Sequence, residues 1–232
     1  MSIIVPSLNE EKYIGETLKA ITNQRADFDY EIFVCDGRST DRTVKIAKKY
    51  ARVLISPRRG KVAQMNYAAS KAKGGILVFI DADTILPENY LQRMHELFEE
   101  DRELLACGSW FKFVGKGLKI KFAGLCMDIY LGLFKSSRGR PELAGCNICV
   151  RREAFREIGG FKDVPNEDTE LSIALRELAK KRGAGKIKYL RKPKVLVSGR
   201  RIEKMGFVNT FACYIRREQE RIAPRKKSKG PW

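Results

Sequence analysis

The sequence predicts an α/β fold: a doubly wound, mostly parallel sheet flanked by helices. Short apolar runs at residues 2–6, 31–35, 52–56 and 76–80 alternate with longer amphipathic stretches, the spacing of successive βαβ units. The run Ile76-Leu77-Val78-Phe79-Ile80 is apolar at both parities, as a strand is when helices cover both faces of its sheet. Asp81 and Asp83 follow directly, where open α/β sheets bind ligands, outside the carboxyl ends of the strands.

Residues 2–6 form the first strand, and residues 10–21 a helix with Ile14, Leu18 and Ile21 on one face. The second strand, 31–35, ends at Asp36, and Ser39 or Thr40 then N-caps a helix through Val44, Ile46, Ala47 and Tyr50. A third strand at 52–56 is stopped by Pro57 and Gly60. Residues 60–73 form a helix whose first turn can present backbone N–H groups and Lys61 to an anion. Beyond the central strand come a helix at 87–99, a strand at 104–113 and an apolar segment at 118–134 that includes Lys119, Lys121 and Asp128. At about 1.5 Å per residue that segment is too short to cross a bilayer; it reads as a buried helix, or else one facing a membrane or an acceptor. Residues 142–150 form a strand, 151–158 a short helix and Gly159-Gly160-Phe161 a turn. A helix from Asn166 to about 181 opens with Glu167, Asp168 and Glu170 at the positive end of its dipole. Two short strands, 187–190 and 194–197, precede a last basic helix at 203–221.

With 232 residues, 44% of them hydrophobic and 32% charged, the chain can bury a full core and is too apolar to be disordered. No uncharged apolar run reaches about 18 residues and the first residues lead straight into a strand, so neither a membrane span nor a signal peptide is expected. The six cysteines are scattered through apolar segments, and Cys146-x-x-Cys149 has no second pair with which to hold zinc, so all six read as reduced core residues. The net charge of +18 is concentrated at one end: from Lys180 onward there are 18 basic and 3 acidic residues. Such an end seeks phosphates, in nucleotide sugars, anionic lipid headgroups or nucleic acid.

Carboxylates at i and i+2 beyond a strand can share a divalent cation and a polyphosphate, and hard oxygen ligands suit Mg²⁺ or Mn²⁺. The same pair also fits a solvated acidic turn. With Thr84 it fits the Asp-x-Asp-x-Thr of haloacid dehalogenase-like phosphatases, whose first Asp is a nucleophile. In those proteins the strand usually opens the domain, whereas here three strand–helix units precede it.

The neighbouring motifs widen the comparison. In order they are Pro6-Ser7-Leu8-Asn9-Glu10, then Asp36 with Ser39-Thr40-Asp41-x-Thr43, then Gly60 with Gln64-Met65-Asn66. Asp81-Ala82-Asp83 follows, then Gly145-Cys146-Asn147 through Gly159-Gly160-Phe161, and last Glu167-Asp168. With these six motifs in register over residues 2–201, the chain resembles the family 2 inverting glycosyltransferases of the GT-A fold, as a small stand-alone member without transmembrane segments. The resemblance implies a GT-A domain at 1–202, its nucleotide-binding half at 1–84 and its acceptor half at 85–202, followed by a basic C-terminal helix and tail at 203–232.

It also implies roles. Pro6, Leu8 and Glu10 line the nucleotide pocket, and Asp36 accepts a ring N–H of the base. Lys61 joins the donor site, Asp83 binds Mg²⁺ or Mn²⁺ directly, and Asp81 reaches the ribose, or the metal through water. Arg200 and Arg201 close over the diphosphate as bidentate donors. Asp168 is the general base that deprotonates an acceptor hydroxyl on the face opposite the leaving group. Glu167 positions that base or binds the acceptor, and Asn147 belongs to the acceptor-side segment. Leu8 replaces an aromatic residue and Arg38 a small one, which leaves uridine against guanosine open.

The expected partners are a UDP- or GDP-sugar donor, a carbohydrate or lipid-linked acceptor and, through the basic tail, an anionic membrane surface, with no nucleic acid. The expected location is the cytoplasm, free or peripheral on the inner face of the membrane. The competing readings of the Asp81/Asp83 site are a nucleotidyltransferase, which moves the nucleotide instead of the sugar, and the phosphatase above.

Overall fold

The computed structural model describes residues 1–115, 118–130, 142–206, 209–210 and 212. Burial on both faces marks the inner strands: all six residues of β1 (Ser2–Ser7), all five of β4 (Ile76–Ile80) and the last four of β2 (Glu31–Asp36) are buried. β3 (Arg52–Ile55) pairs only with β2, and both its end residues are exposed, as befits an edge. The remaining strands are β5 (Thr84–Ile85), β6 (Leu104–Val114), β7 (Asn147–Arg151) and β8 (Lys186–Ser198). Together they form one eight-stranded sheet in the order β3-β2-β1-β4-β7-β6-β8-β5. Its first four strands are parallel, β7 runs antiparallel to both its neighbours, β6 and β8 are parallel again, and β5 closes antiparallel on β8.

The pleat sends alternate residues to opposite layers. Ile3 and Val5 of β1 join Val34, Val78 and Ile80 in one core, packed by α1 (Ile14–Thr22) and α4 (Tyr90–Glu100) through Leu18, Ile21, Leu91 and Phe98. Ile4 joins Phe33, Leu77 and Phe79 in the other, packed by α3 (Lys61–Lys71) and α7 (Glu167–Arg182) through Met65, Ala68, Leu171 and Leu175. Helices on both faces of one sheet are the doubly wound arrangement. Three shorter helices are α2 (Thr43–Ala47), α6 (Arg152–Glu157) and α8 (Arg200–Met205).

Several expectations change. α2 starts at Thr43, and Ser39 and Thr40 do not cap it; they bond instead to Asp36 and Asn9. The strand expected at 142–150 begins only at Asn147, because Ala144 and Asn147 close a tight turn first. The two short strands at 187–190 and 194–197 are one strand, β8, whose pairing with β6 shifts register twice. The basic helix expected over 203–221 is interrupted: α8 begins at Arg200 and stops at Met205, before Gly206 (φ 79°), and most of the stretch 207–221 lies outside the described residues.

The apolar segment forms helix α5 (Leu118–Tyr130), and its continuation to 134 lies outside the described residues. It is not a fully buried helix: Ile120, Ala123 and Met127 are buried, while Leu118, Phe122, Leu125 and Ile129 are exposed. Among the described residues no helix is long and apolar enough to cross a membrane. Cys35, Cys107, Cys146 and Cys149 are buried free thiols, Cys126 is a half-buried one, and Cys213 lies outside the described residues.

Candidate active site

The loops after β1 and β2 hold one another. Asn9 takes a left-handed conformation (φ 55°), its N–H donates to Ser39 Oγ at 2.8 Å, and its Oδ1 accepts the Thr40 N–H at 2.9 Å. The Glu10 N–H donates to Thr43 Oγ1 at 2.7 Å and the Glu11 N–H to Asp41 Oδ2 at 3.1 Å. The polar letters of the first two motifs thus satisfy each other's backbone, which fixes Pro6, Leu8 and Glu10 along one wall of a cavity of about 660 Å³ at the carboxyl ends of the strands. This volume is within the range of small-molecule sites.

Asp81 and Asp83 lie on the floor of that cavity. The turn carrying them is pinned from three sides: Thr17 Oγ1 donates to the Ala82 carbonyl at 2.8 Å, the Asp81 N–H to the Cys146 carbonyl at 3.4 Å, and the Ser198 N–H to the Asp83 carbonyl at 3.1 Å. Each carboxylate faces a cation of the protein. Lys61 Nζ lies 2.7 Å from Asp81 Oδ1 and 3.4 Å from Glu167 Oε1. Arg200 Nε lies 2.9 Å from Asp83 Oδ2, and the same guanidinium forks onto both oxygens of Glu10, with Nη2 2.8 Å from Oε1. Its plane rests over the Tyr13 ring at 4.8 Å.

Burial pushes the Asp83 carboxyl up to about 6; Arg200 opposes the shift, and the nearby charges of Asp81 and Glu10 add to it. For Lys61 burial alone lowers the pKa, but Asp81, Glu167 and Asp168 outweigh it and the ammonium is held above its usual range. Arg200 is likewise raised, first by its hydrogen bonds to Glu10.

Across the cavity, α7 delivers Glu167 and Asp168 at its first turn. Asn166, left-handed at φ 61°, turns the chain sharply into the helix. Asp168 Oδ2 accepts the Gly145 N–H and Oδ1 the Thr169 N–H, each at 2.9 Å. Each oxygen retains a lone pair for a ligand. The Lys61 ammonium, between Asp81 and Glu167, joins the two acidic groups across the floor.

Most of the residues singled out in the sequence therefore line one cavity: Pro6, Leu8, Glu10, Lys61, Asp81, Asp83, Glu167, Asp168, Arg200 and Arg201. Two do not. Asp36 has no solvent-accessible surface, and its oxygens accept from the Ser39 N–H at 2.8 Å, the Ser39 hydroxyl and the Ser7 hydroxyl at 3.2 Å. So enclosed, the carboxylate holds the turn after β2 together and does not line the cavity. Asn147 is also fully buried: Oδ1 accepts the Ser109 N–H at 2.6 Å and the Tyr90 hydroxyl at 3.0 Å, while Nδ2 donates to the Ser109 carbonyl at 2.9 Å. It locks β7 to β6 and does not line the cavity. Asn66 is likewise structural, pairing with both backbone groups of Phe161 at 2.8 and 3.0 Å.

Several wall residues were missed in the sequence. Phe111 and Phe113 line the cavity from β6, with Met127 beside them on α5, and Tyr13 lies beneath Arg200. The i, i+2 spacing of the two phenylalanines was a usable signal, since it sets both on one face of a strand. Nothing local marks Tyr13, whose place depends on a guanidinium 187 residues later.

A family model described as "Glycosyl transferase family 2" matches residues 2–159, more than half of the chain. The chain belongs to glycosyl transferase family 2. Among relatives by sequence, the poly(ribitol-phosphate) beta-glucosyltransferase of Bacillus spizizenii is 32% identical over 127 residues, which are 51% of this chain and 20% of that protein. Among solved structures, the mannosyltransferase PcManGT from Pyrobaculum calidifontis, in complex with GDP-Man and Mn²⁺, has a TM-score of 0.66 at 24% identity, covering 93% of this chain and 64% of that one. S. aureus TarS 1-349, in complex with UDP-GlcNAc, has a TM-score of 0.63 at 22% identity, covering 85% of this chain and 58% of its own. The chain spans less than two thirds of the length of each of these relatives. Both structural likenesses show the GT-A fold for this family 2 chain.

Proposed function

We propose that the chain is a metal-dependent inverting glycosyltransferase that moves a sugar from a nucleoside-diphosphate sugar to a hydroxyl or lipid-phosphate acceptor. The observation that carries this reading is the convergence, in one cavity, of the carboxylates Asp81, Asp83 and Asp168 with the cations Lys61 and Arg200. Residues 1–84 are then the donor half and 85–202 the acceptor half.

The donor set fits a hard divalent cation. Asp81 and Asp83 supply two carboxylates, and among the described residues no cluster of three or more ligating side chains exists. A site of that kind is completed by substrate phosphates and water, as Mg²⁺ sites commonly are. A relative's Mn²⁺ and GDP-Man complex supports the same pairing of metal and donor. When bound, the cation neutralises the diphosphate leaving group. Arg200 and Lys61 already face the two carboxylates, so they are placed to exchange those partners for phosphate oxygens, with Arg201 at the rim.

Asp168 does the acid–base work. Its carboxylate is held and oriented by two backbone N–H groups. It takes the proton of an acceptor hydroxyl as that oxygen bonds to the anomeric carbon, while the bond from that carbon to the diphosphate breaks on the opposite face. Inversion follows from these two sides. Glu167, bridged to Asp81 through Lys61, sets the position of the helix turn that bears the base.

A panel of UDP-, GDP- and dTDP-sugars with Mn²⁺ tests the reading by thermal stabilisation. Saturating donor at about 100 times its Kd adds about 2.7 kcal/mol of stability. One base class stabilising the protein, and only with the metal, supports the proposal. Metal-dependent stabilisation by a nucleoside triphosphate, with pyrophosphate release, supports a nucleotidyltransferase instead.

A further inference from the structure

Helix α5 is apolar on two sides. Ile120 packs inward on Gly115 and Gly199, and Met127 faces the cavity. On the outward side Leu118, Phe122, Leu125 and Ile129 recur at helical spacing, with exposures of 82%, 55%, 58% and 52%. A surface helix normally turns polar residues outward. An exposed apolar stripe bordered by cations is the form that lies in the plane of a bilayer interface.

Cations do border it. Lys121 is exposed on α5 itself, and α8, which packs against α5, exposes Lys204 and Arg201. At the far half of the helix Lys194 pairs with Asp128 at 2.8 Å, and Arg191 shares the Trp110 ring with Lys194. Beyond residue 206 the sequence adds seven basic residues against two acidic ones.

We propose that the outward face of α5 is a docking surface for an anionic lipid bilayer, resting on Leu118, Leu125 and Ile129. The stripe calls for an apolar phase, which a nucleic acid does not offer. The surrounding positive charge repels a second copy of the same face and attracts acidic headgroups. None of the three residues lines the cavity, so the inference is independent of the transfer reaction; Met127 on the same helix would nevertheless set the cavity close to the membrane surface.

Vesicle co-sedimentation of the full chain is the test, with phosphatidylcholine vesicles made with and without phosphatidylglycerol. The wild type is expected to pellet with the anionic vesicles at low salt, to bind neutral ones about tenfold more weakly, and to be released by added salt. The variant Leu118→Gln/Leu125→Gln/Ile129→Gln should lose about tenfold in anionic-vesicle binding while keeping the wild-type melting temperature and nucleotide response. Lys121→Glu/Lys204→Glu should show a parallel loss. The proposal is overturned if the wild type stays in the supernatant with anionic vesicles at low salt, or if the triple variant pellets as well as the wild type. It is equally overturned by a dimer, or an RNA complex, that the triple substitution abolishes in a protein without vesicle binding.

Discussion

Arg200 clamps Glu10, a residue 190 positions earlier, through two parallel hydrogen bonds, one of them 2.8 Å from Nη2 to Oε1. The clamp ties the start of α8 to the loop after β1, and Nε of the same guanidinium reaches Asp83 at 2.9 Å. Arg200→Met therefore leaves two largely buried acids without their cation. Stability should fall by about 2 kcal/mol, below the cost of breaking a fully buried pair because the guanidinium is partly solvated. Arg200→Lys should restore the charge but not the fork. Denaturant melts of the three proteins check both statements.

The raised pKa of Asp83 makes a pH prediction. Its folded value of about 6 exceeds the ordinary 3.8, so the fold favours the protonated acid. The favourable contribution is complete below the unfolded value and is lost as pH rises from about 4 to 6, leaving a cost of about 3 kcal/mol at neutral pH. Without metal or donor, Asp83→Asn should melt above the wild type at pH 7.5, and the difference should close toward pH 4. A lower melting temperature for the variant at pH 7.5 contradicts this.

Asn147 supplies the acceptor for a buried Ser109 N–H at 2.6 Å. Asn147→Ala orphans that group and leaves the Tyr90 hydroxyl only the weaker Cys149 Sγ at 3.8 Å, at a cost of about 2–4 kcal/mol. The folded fraction should keep its acceptor KM unchanged. A raised KM without loss of stability would return Asn147 to the acceptor site.

Asp168→Asn should bind donor normally and lose about 10²–10⁴ in transfer rate. Because both oxygens accept backbone N–H groups, the amide must turn its NH₂ toward one of those donors, and about 1 kcal/mol of stability should go with it. Single-turnover assays and a thermal melt measure the two effects.

The nucleotide half was the more legible half. Its inner strands β1 and β4 are buried on both faces, so a short apolar run suffices to mark each, and Asp81 and Asp83 follow a strand end that needs no tertiary information. The motif letters were harder to interpret. Asp36, Asn66 and Asn147 have the residue types of ligand-binding groups, yet their partners are the Ser39 turn, Phe161 and Ser109, and a hydrogen bond satisfied inside the fold leaves no mark in the sequence. The same applies to α5, whose mixed pattern becomes two faces only when β6 and α8 are packed against one of them.

Titration of UDP and GDP against wild type and Asp83→Ala by calorimetry, with Mn²⁺ and then with excess chelator, tests the central claim most directly. Two phosphates and the acids Asp81 and Asp83 share the cavity only with a cation between them. The wild type should bind one of the two nucleotides with Mn²⁺ and lose most of that affinity on chelation, and Asp83→Ala should show the weak value under both conditions. Undiminished, metal-dependent binding by Asp83→Ala would contradict the account.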